Sequence, residues 1–322
     1  MLTAVITGIG QDAANLSKKL LDNGYQVVCI GRRKSVEAGL SNVEQFLSHP
    51  KFAFIYGDIT DPTCISRVLH DYKPNEYYNT AAQTHVGYSF SSPVDTFKAN
   101  AEAVISVLEL IRQISPYTRF LNFATSELFG GLNCPELGYN ENTPFNPRSP
   151  YAVAKAAAFY ATKNYREAYG LHASSSICFN HSSIYRSLDF ATRKITRGVA
   201  EVKLGKRDKL KMGDLSAFRD EGHSKDYVDA MHLILQQPNP SDYVVATGTG
   251  ATIEEMFRYV CNLANLEFEN IYEKDVRFLR PSEVPFLKGD PSKAKDLLGW
   301  NPKHTWQDLL KEMYEYDIKD VK

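Results

Sequence analysis

The chain has 322 residues, of which 43% are hydrophobic and 23% are charged, and its formal net charge is −1. This balance is typical of a globular protein with a large core, arranged as one large domain or two closely associated ones. It excludes the overall basic field that would favour nucleic acid, and no segment is apolar for long enough to span a bilayer. The sequence therefore predicts neither a nucleic-acid partner nor a membrane partner.

The cysteines and the first residues bear on the compartment. Five cysteines are scattered without Cys-x-x-Cys spacing, and no charged segment followed by an apolar one precedes the first predicted strand. Scattered thiols are typical of a reducing compartment rather than of a zinc site or a disulfide framework. The sequence predicts a cytoplasmic protein.

Apolar runs alternate with helical patterns up to about residue 180, after which the segments become shorter and more irregular. Strands are predicted at 2–7, 26–30, 51–56, 76–79, 118–124, 173–179 and 243–246, and helices at 15–23, 62–72, 94–115, 151–169 and 305–316. This alternation predicts an α/β fold, a doubly wound parallel sheet with helices on both faces. We predict a dinucleotide-binding domain at 1–175, to which strands near 176–180 and 225–248 return, and a smaller, interleaved C-terminal α/β domain at 181–322 that binds substrate.

A glycine turn follows the first predicted strand. Gly8 and Gly10 permit a tight turn and a close approach of the backbone to a pyrophosphate, and Ala13 is small enough for close packing of helix on strand. Gln11 and Asp12 open the helix, whose N-terminus favours an anion. This context favours a dinucleotide site over a purely structural turn.

The residues after the second strand indicate which dinucleotide is bound. NAD sites usually have an acidic residue there, whereas this chain has Arg32, Arg33, Lys34 and Ser35. Cations and a hydroxyl suit a 2′-phosphate, which favours NADP over NAD; the alternative is a solvated basic loop. Asp58, after the third strand, is placed either to contact the adenine amino group or to cap a turn.

Four side chains with acid–base chemistry converge in the predicted fold. Thr125 and Glu127 end a buried strand, and ligands of open sheets bind at the carboxyl ends of strands. Tyr151 and Lys155 lie one helical turn apart, so the ammonium can favour the phenolate form of the tyrosine. The alternatives are a surface Tyr/Lys pair and a capping glutamate. A hydroxyl, a phenol and an ammonium suit hydride transfer at a carbinol, and Glu127 adds a second proton transfer at a neighbouring carbon.

The chain resembles the extended short-chain dehydrogenase/reductases, and within them the GDP-mannose 4,6-dehydratases, over nearly its whole length. The motifs that carry this resemblance are AAQTHVG at 81–87, TSELFG at 125–130, NPRSPYAVAK at 146–155, NYREAYG at 164–170, NH at 180–181, TRKIT at 192–196, GHSKDYV at 222–228, RPSEV at 280–284 and GDPSKAK at 289–295. The resemblance implies a Rossmann fold with tightly bound NADP, and a homodimer or homotetramer.

The resemblance also implies a mechanism. Tyr151 takes the C4 hydroxyl proton while hydride passes to NADP, Lys155 binds the nicotinamide ribose, and Thr125 donates to the C4 oxygen. Glu127 removes the C5 proton and protonates the departing C6 hydroxyl, and the hydride returns to C6. The product implied is GDP-4-dehydro-6-deoxy-mannose.

Further contacts follow from the same resemblance. Cofactor contacts are implied for Ala81, Gln83 and His181, and contacts with the GDP-sugar for Ser126, Asn180, Lys194, Arg219, Arg280 and Glu283. His85 and His181 lack a third ligand at suitable spacing, so no metal site is predicted.

The chain departs from the family pattern in two places. Its glycine turn is one residue shorter than the usual TGITGQDG and ends in Ala13, and NHSSIYR at 180–186 stands where the family typically has NHESPRR. A carboxylate and a rigid proline are therefore absent beside the predicted sugar site. The sugar stays open as a result: the alternatives are a GDP-heptose or another GDP-hexose, or an NADP-dependent 4-keto-sugar reductase or epimerase on the same fold.

Overall fold

The computed structural model describes residues 1–32, 41–278 and 282–321. Its large sheet contains seven strands: β1 (Thr3–Thr7), β2 (Gln26–Gly31), β3 (Phe52–Tyr56), β4 (Glu76–Asn79), β5 (Arg119–Thr125), β6 (Ala173–Cys178) and β10 (Tyr243–Val245). They are ordered β10-β6-β5-β4-β1-β2-β3, and every neighbouring pair is parallel. The predicted fold class, a doubly wound parallel sheet, is confirmed.

Helices cover both faces of this sheet. They are α1 (Gln11–Asp22), α2 (Ser41–Glu44), α3 (Pro62–Tyr72), α4 (Val86–Ser91), α5 (Pro93–Phe97), α6 (Ala103–Ile114), α7 (Pro150–Tyr169) and α9 (Ser224–Gln236). α1 and α9 pack in the core on one face, while α3, α6 and α7 pack in the core on the other. A parallel sheet buried on both faces favours strands that are largely apolar, which is why short apolar runs predicted them well, although β6 contains three buried serines.

The helix predicted at 94–115 is not continuous. The structure has α5, then one wide turn of π-helix at Lys98–Glu102, then α6. Asn100 lies in that turn, is buried, and pairs with the backbone of Gln83 through two hydrogen bonds of 2.8 Å. π-turns are frequent at functional sites, and this one fixes the loop that follows β4.

The remaining elements build a second region beside the carboxyl ends of the large sheet. A small sheet contains β7 (Asn180–Ser182), β9 (Phe218–His223), β11 (Gly250–Thr252) and β13 (Phe286–Leu287), and β8 (Leu210–Met212) pairs with β12 (Tyr272–Lys274). The helices here are α8 (Ala191–Lys203), α10 (Ile253–Ala264), α11 (Phe268–Ile271), α12 (Ser292–Leu298) and α13 (Trp306–Asp320). α8, α10 and α13 share a separate apolar core. In the described part of the chain, no helix combines the length and apolar character needed to cross a bilayer.

Candidate functional site

A cleft of about 520 Å³ lies between the carboxyl ends of the large sheet and the small sheet. Many of the predicted site residues line it together: Asp12, Thr125, Ser126, Glu127, Tyr151, Lys155, Asn180, His181, Lys194, Arg219 and Glu283. The fold brings these residues together although Asp12 and Glu283 are 271 positions apart in the sequence. The position agrees with the rule that ligands of open α/β sheets bind outside the carboxyl ends of strands.

The glycine turn has the backbone that a close phosphate contact requires. Gly8 has a φ of +95°, and a Cβ there would lie 3.0 Å from Thr80 Oγ1 and 3.2 Å from the Ala81 nitrogen. Gly10 is the N-cap of α1 and receives no side-chain cap, and a Cβ built on it would meet no atom within 4 Å. The N-terminus of α1 thus has open space beside Gly10 and no side-chain cap, and an anion there would complete its first N–H groups.

Gln11 and Asp12 bind protein groups through their side chains. Gln11 donates to the His181 carbonyl oxygen at 2.8 Å, and Asp12 Oδ1 lies 3.1 Å from His181 Nε2 and accepts from the Ser224 hydroxyl at 2.7 Å. Despite burial, His181 and Ser224 lower the pKa of Asp12, and Asp12 raises the pKa of His181. These contacts attach the start of α1 to the small sheet, so the backbone of this turn is what remains to meet a ligand.

The other predicted cofactor residues lie near the ends of β2, β3 and β4. Arg32 Nε is 3.9 Å from Asp58 Oδ2, and Asp58 also accepts two hydrogen bonds from Thr60. Ala81 follows β4, and the buried Gln83 Oε1 has no hydrogen-bond partner among the described residues. Arg33 and Ser35, also predicted for the cofactor, lie outside the described residues.

The predicted reaction centre is assembled at the end of β5 and the start of α7. Thr125 accepts a hydrogen bond from the Glu127 N–H at 3.3 Å, and Gly130 closes the short helix Ser126–Phe129 with a φ of +71°. Ser149 caps α7 by accepting from the Ala152 N–H, which places Tyr151 in the first turn. Thr125, Glu127 and Tyr151 all line the cleft, and Tyr151 is 7% exposed.

The electrostatics at Tyr151 differ from the expectation. Burial raises the pKa of Tyr151 to about 12; a hydrogen bond from Thr125 opposes this shift, and the charge of Glu127 adds to it. The Lys155 ammonium donates to the Phe123 carbonyl oxygen at 2.6 Å, and burial lowers the pKa of Lys155 to about 8. The protein alone therefore does not hold the phenolate, because burial disfavours both charged forms.

The residues predicted for the GDP-sugar lie across the cleft. Asn180 begins β7, Lys194 Nζ lies 3.3 Å from the centre of the Phe278 ring, and Arg219 donates to the Phe218 carbonyl oxygen at 2.8 Å. Glu283 lines the same side. Arg280 lies outside the described residues. In the described part of the chain, no group of three or more His, Cys, Asp or Glu side chains is arranged to hold a metal ion.

Comparison with known proteins gives the family. A family model described as GDP-mannose 4,6 dehydratase matches residues 5–313. The chain belongs to the GDP-mannose 4,6-dehydratase family. A GDP-mannose 4,6-dehydratase of Yersinia enterocolitica is 40% identical, covering 100% of this chain and 95% of that protein. GDP-mannose 4,6 dehydratase 1 of Arabidopsis thaliana is 41% identical, covering 99% of this chain and 90% of that protein. The resemblance in the sequence is confirmed, and the protein is a sugar dehydratase.

Solved structures agree on the fold of the dehydratase. A dTDP-glucose 4,6-dehydratase from Bacillus anthracis in complex with NAD gives a TM-score of 0.87 at 23% identity, covering 99% of this chain and 97% of that one. A UDP-glucose 4-epimerase from Thermotoga maritima with UDP-glucose gives 0.88 at 23% identity, covering both chains completely. These likenesses concern the fold, in which nucleotide-sugar enzymes of more than one activity occur.

Several charged residues of the dehydratase line the cleft without having been predicted for the site, and Arg186 and Glu221 are two of them. Arg186 follows β7, and its guanidinium carbon lies 3.7 Å from the centre of the Phe190 ring. Glu221 lies in β9 and is 3% exposed. In the sequence, Glu221 was visible only as one charged residue of the short run FRDEGH at 218–223. That run has no strand periodicity from which the direction of its side chain could be predicted.

Replacing Lys155 by Met tests the burial of its ammonium. The pKa falls from its ordinary value of 10.5 to about 8 in the folded chain, so the folded protein binds fewer protons between these values. The free energy of unfolding should therefore rise with pH across this window. We expect a gain of about 2 kcal/mol between pH 8 and pH 10 in the wild type, and its absence in the variant.

Urea unfolding of the cofactor-free protein at the two pH values measures this difference. Lys163→Met, which removes a half-exposed ammonium from the same helix, is the matched control and should follow the wild type. A Lys155→Met profile that runs parallel to the wild type would show that the ammonium is not buried in solution.

Proposed function

We propose that this dehydratase converts GDP-mannose to GDP-4-dehydro-6-deoxy-mannose and uses NADP. The observation that carries the proposal is the placement of Glu127 beside Thr125 and Tyr151 in one cleft, close enough for its charge to raise the pKa of Tyr151. A simple reductase needs one proton-transfer group at one carbon. Elimination of water from the next carbons needs a second group, and Glu127 meets that need.

The residues present fit a dinucleotide. The open N-terminus of α1 at Gly10 would hold the pyrophosphate, and Gln83 Oε1, a buried acceptor without a partner among the described residues, lies beside the same sheet edge. Lys155 would hold the nicotinamide ribose. When bound, the dinucleotide supplies an acceptor and donor of one hydride, and its oxidised nicotinamide adds a positive charge.

The preference for NADP is supported by the residues that follow β2. Arg32 is 63% exposed in its side chain, and the sequence continues with Arg33, Lys34 and Ser35 without a carboxylate. Guanidinium groups suit a 2′-phosphate, whereas an acidic residue would suit the two free hydroxyls of NAD. Mass spectrometry of the nucleotide that co-purifies with the protein tests this preference, and recovery of NAD alone would contradict it.

The chain's own residues would move two protons and hold one oxygen. Tyr151, as phenolate, accepts the C4 hydroxyl proton while Thr125 donates to the C4 oxygen. The resulting C4 ketone acidifies the C5 proton, which Glu127 removes and delivers to the C6 hydroxyl, so that water leaves. Because the hydride taken from C4 returns to C6 and C5 takes up a proton in exchange with water, the reaction consumes no cofactor.

The opposite wall would hold the nucleotide. Arg219 would neutralise the diphosphate with Asn180 nearby, Lys194 would contact the guanine and Glu283 the GDP ribose. The family resemblance adds Arg280 for the diphosphate, a residue that lies outside the described part of the chain. Ser126 is 3% exposed and lines the cleft beside Glu127, which suits contact with the sugar. We further expect a homodimer or homotetramer in the cytoplasm, which light scattering of the purified protein would test.

Incubation of the purified enzyme with GDP-mannose, without added reductant, tests the activity. We expect a 4-keto product that has lost one water by mass spectrometry and no net change in dinucleotide. A 4-keto-sugar reductase on this fold would leave GDP-mannose unchanged under these conditions. That outcome would contradict the proposal.

A further inference from the structure

Glu221 is a buried carboxylate on the wall of the cleft. It lies in β9 directly opposite Asn180 of β7, and it is 3% exposed while lining the same cleft as Tyr151. Burial raises the pKa of its carboxyl group. A buried carboxylate is costly to the fold unless it is paired or serves a ligand, so its partners decide what it does.

One oxygen of Glu221 is held by a directed chain of hydroxyl groups. Ser182 donates to Glu221 Oε1 at 2.7 Å, and Ser182 and Thr192 hydroxyls lie 2.8 Å apart. Ser182 has one proton, and the ionised carboxylate can only accept, so Thr192 must be the donor to Ser182. Within residues 1–32, 41–278 and 282–321, the Glu221 side chain accepts no other hydrogen bond. These two hydroxyl groups fix the orientation of the carboxylate through Oε1 and leave Oε2 available to a ligand.

The positive charge that acts most strongly on Glu221 is that of Arg186, and the two side chains do not pair. Arg186 lowers the pKa of Glu221 through its charge, and Glu221 is the largest influence opposing the burial of Arg186. Among the described residues the two do not form an ion pair within 4.0 Å, and Arg186 Nε is buried without a hydrogen-bond partner. Arg186 also acts on Tyr151 through its charge. A donor and an acceptor thus line the cleft near the reaction centre without satisfying each other.

We propose that Glu221 is a sugar-recognition residue, whose carboxylate accepts a hydrogen bond from a hexose hydroxyl other than the one at C4. This proposal rests on the proposed function, since it assigns the sugar end of the same GDP-sugar site. A carboxylate repels phosphate, which disfavours the diphosphate and the cofactor pyrophosphate as its ligands. Sugar hydroxyls are the donors that remain in such a substrate, and Ser182 and Thr192 act as positioning residues.

The register explains how the site can differ from the family pattern. Ser182 stands where that pattern has glutamate, and it contacts Glu221 directly across paired strands. A carboxylate missing from β7 is therefore supplied from β9, within one hydrogen bond of the same place.

Binding measurements separate this role from a structural one. Calorimetry in a Glu127→Gln background, where turnover is prevented, gives the dissociation constants of GDP and GDP-mannose for each variant. We expect Glu221→Gln to raise the ratio of the GDP-mannose constant to the GDP constant about 10-fold, which is the loss of one hydrogen bond to a charged group. GDP affinity and the melting temperature should stay unchanged, because glutamine can still accept from Ser182.

Three further variants make the test specific. Glu221→Ser should weaken discrimination between GDP-mannose and GDP, as Glu221→Gln does. The double variant Ser182→Glu with Glu221→Ser should restore this discrimination, because the carboxylate then comes from the neighbouring strand. Glu273→Gln, a half-exposed glutamate in β12, is the matched control and should change nothing. Equal weakening of GDP and GDP-mannose in Glu221→Gln, or an unchanged ratio, overturns the proposal.

The failure of the proposed function would be visible separately. If the wild type does not dehydrate GDP-mannose, the substrate assignment fails, and a panel of GDP-hexoses identifies the sugar that binds better than GDP. The role of Glu221 is then judged with that sugar. If the ratio for that sugar is unaffected by Glu221→Gln, the residue does not recognise the hexose.

Discussion

Replacement of Glu127 by Gln should stop the loss of water while leaving the dinucleotide and the GDP-sugar bound. Glutamine keeps the size and the hydrogen bonding of the side chain but cannot take the C5 proton or return it to the C6 hydroxyl. Proton transfer by a positioned side chain contributes about 10²- to 10⁴-fold to rate. We therefore expect turnover to fall by that factor, with a Michaelis constant close to that of the wild type.

Exchange with deuterated water makes this prediction specific to the C5 proton. In the wild type, deuterium should appear at C5 of the product, and in Glu127→Gln neither product nor labelled substrate should accumulate. Glu136→Gln, an exposed glutamate a few residues along the chain, is the control and should match the wild type. Turnover of Glu127→Gln at the wild-type rate would refute the role of this carboxylate.

The large sheet could be predicted because its strands are short apolar runs separated by helical patterns. The small sheet could not, because β7, β8, β11, β12 and β13 have two or three residues each, too few for a period to show. The wide turn at Lys98–Glu102 was hidden for another reason. Its apolar spacing continues that of the flanking helices, and what interrupts it is the contact of Asn100 with Gln83, which local sequence does not reveal.

The candidate site divides in the same way. Thr125, Glu127, Tyr151 and Lys155 come from two local patterns, so their presence in one cleft followed from strand order. The contact of Ser182 with Glu221 joins residues 39 positions apart on strands that were not predicted. Sequence reasoning could note the serine but not the carboxylate that faces it.

The protonation of Tyr151 and Lys155 at the reaction centre also depends on how deeply both side chains are buried. A tyrosine and a lysine on one helical face predict a lowered tyrosine pKa, and this expectation holds where solvent stabilises both charged forms. Here both are buried, and the ammonium donates to the Phe123 carbonyl oxygen. Burial therefore works against the phenolate, the charge of Arg186 works in its favour, and under the proposed function a bound oxidised cofactor would add further positive charge.

Replacement of Tyr151 by Phe should consequently abolish the first oxidation. Without the phenol oxygen, none of the described residues is assigned to take the C4 hydroxyl proton, because Glu127 is assigned to the next carbons and Thr125 to donation to the oxygen. We expect turnover to fall about 10²- to 10⁴-fold. Rapid-mixing measurement of reduced nicotinamide absorbance, after substrate is added to the loaded enzyme, follows this step directly.

The pH dependence distinguishes a lost base from a disturbed fold. With the pKa of Tyr151 raised by burial, the wild-type oxidation step should speed up as pH rises, since more of the tyrosine is ionised. Tyr151→Phe should lack that rise at every pH, and Tyr160→Phe, which removes an exposed phenol from the same helix, should keep it. A Tyr151→Phe enzyme that still forms reduced nicotinamide with the wild-type pH profile would mean that another group takes the C4 proton, and the assignment of this cleft would have to begin from that group.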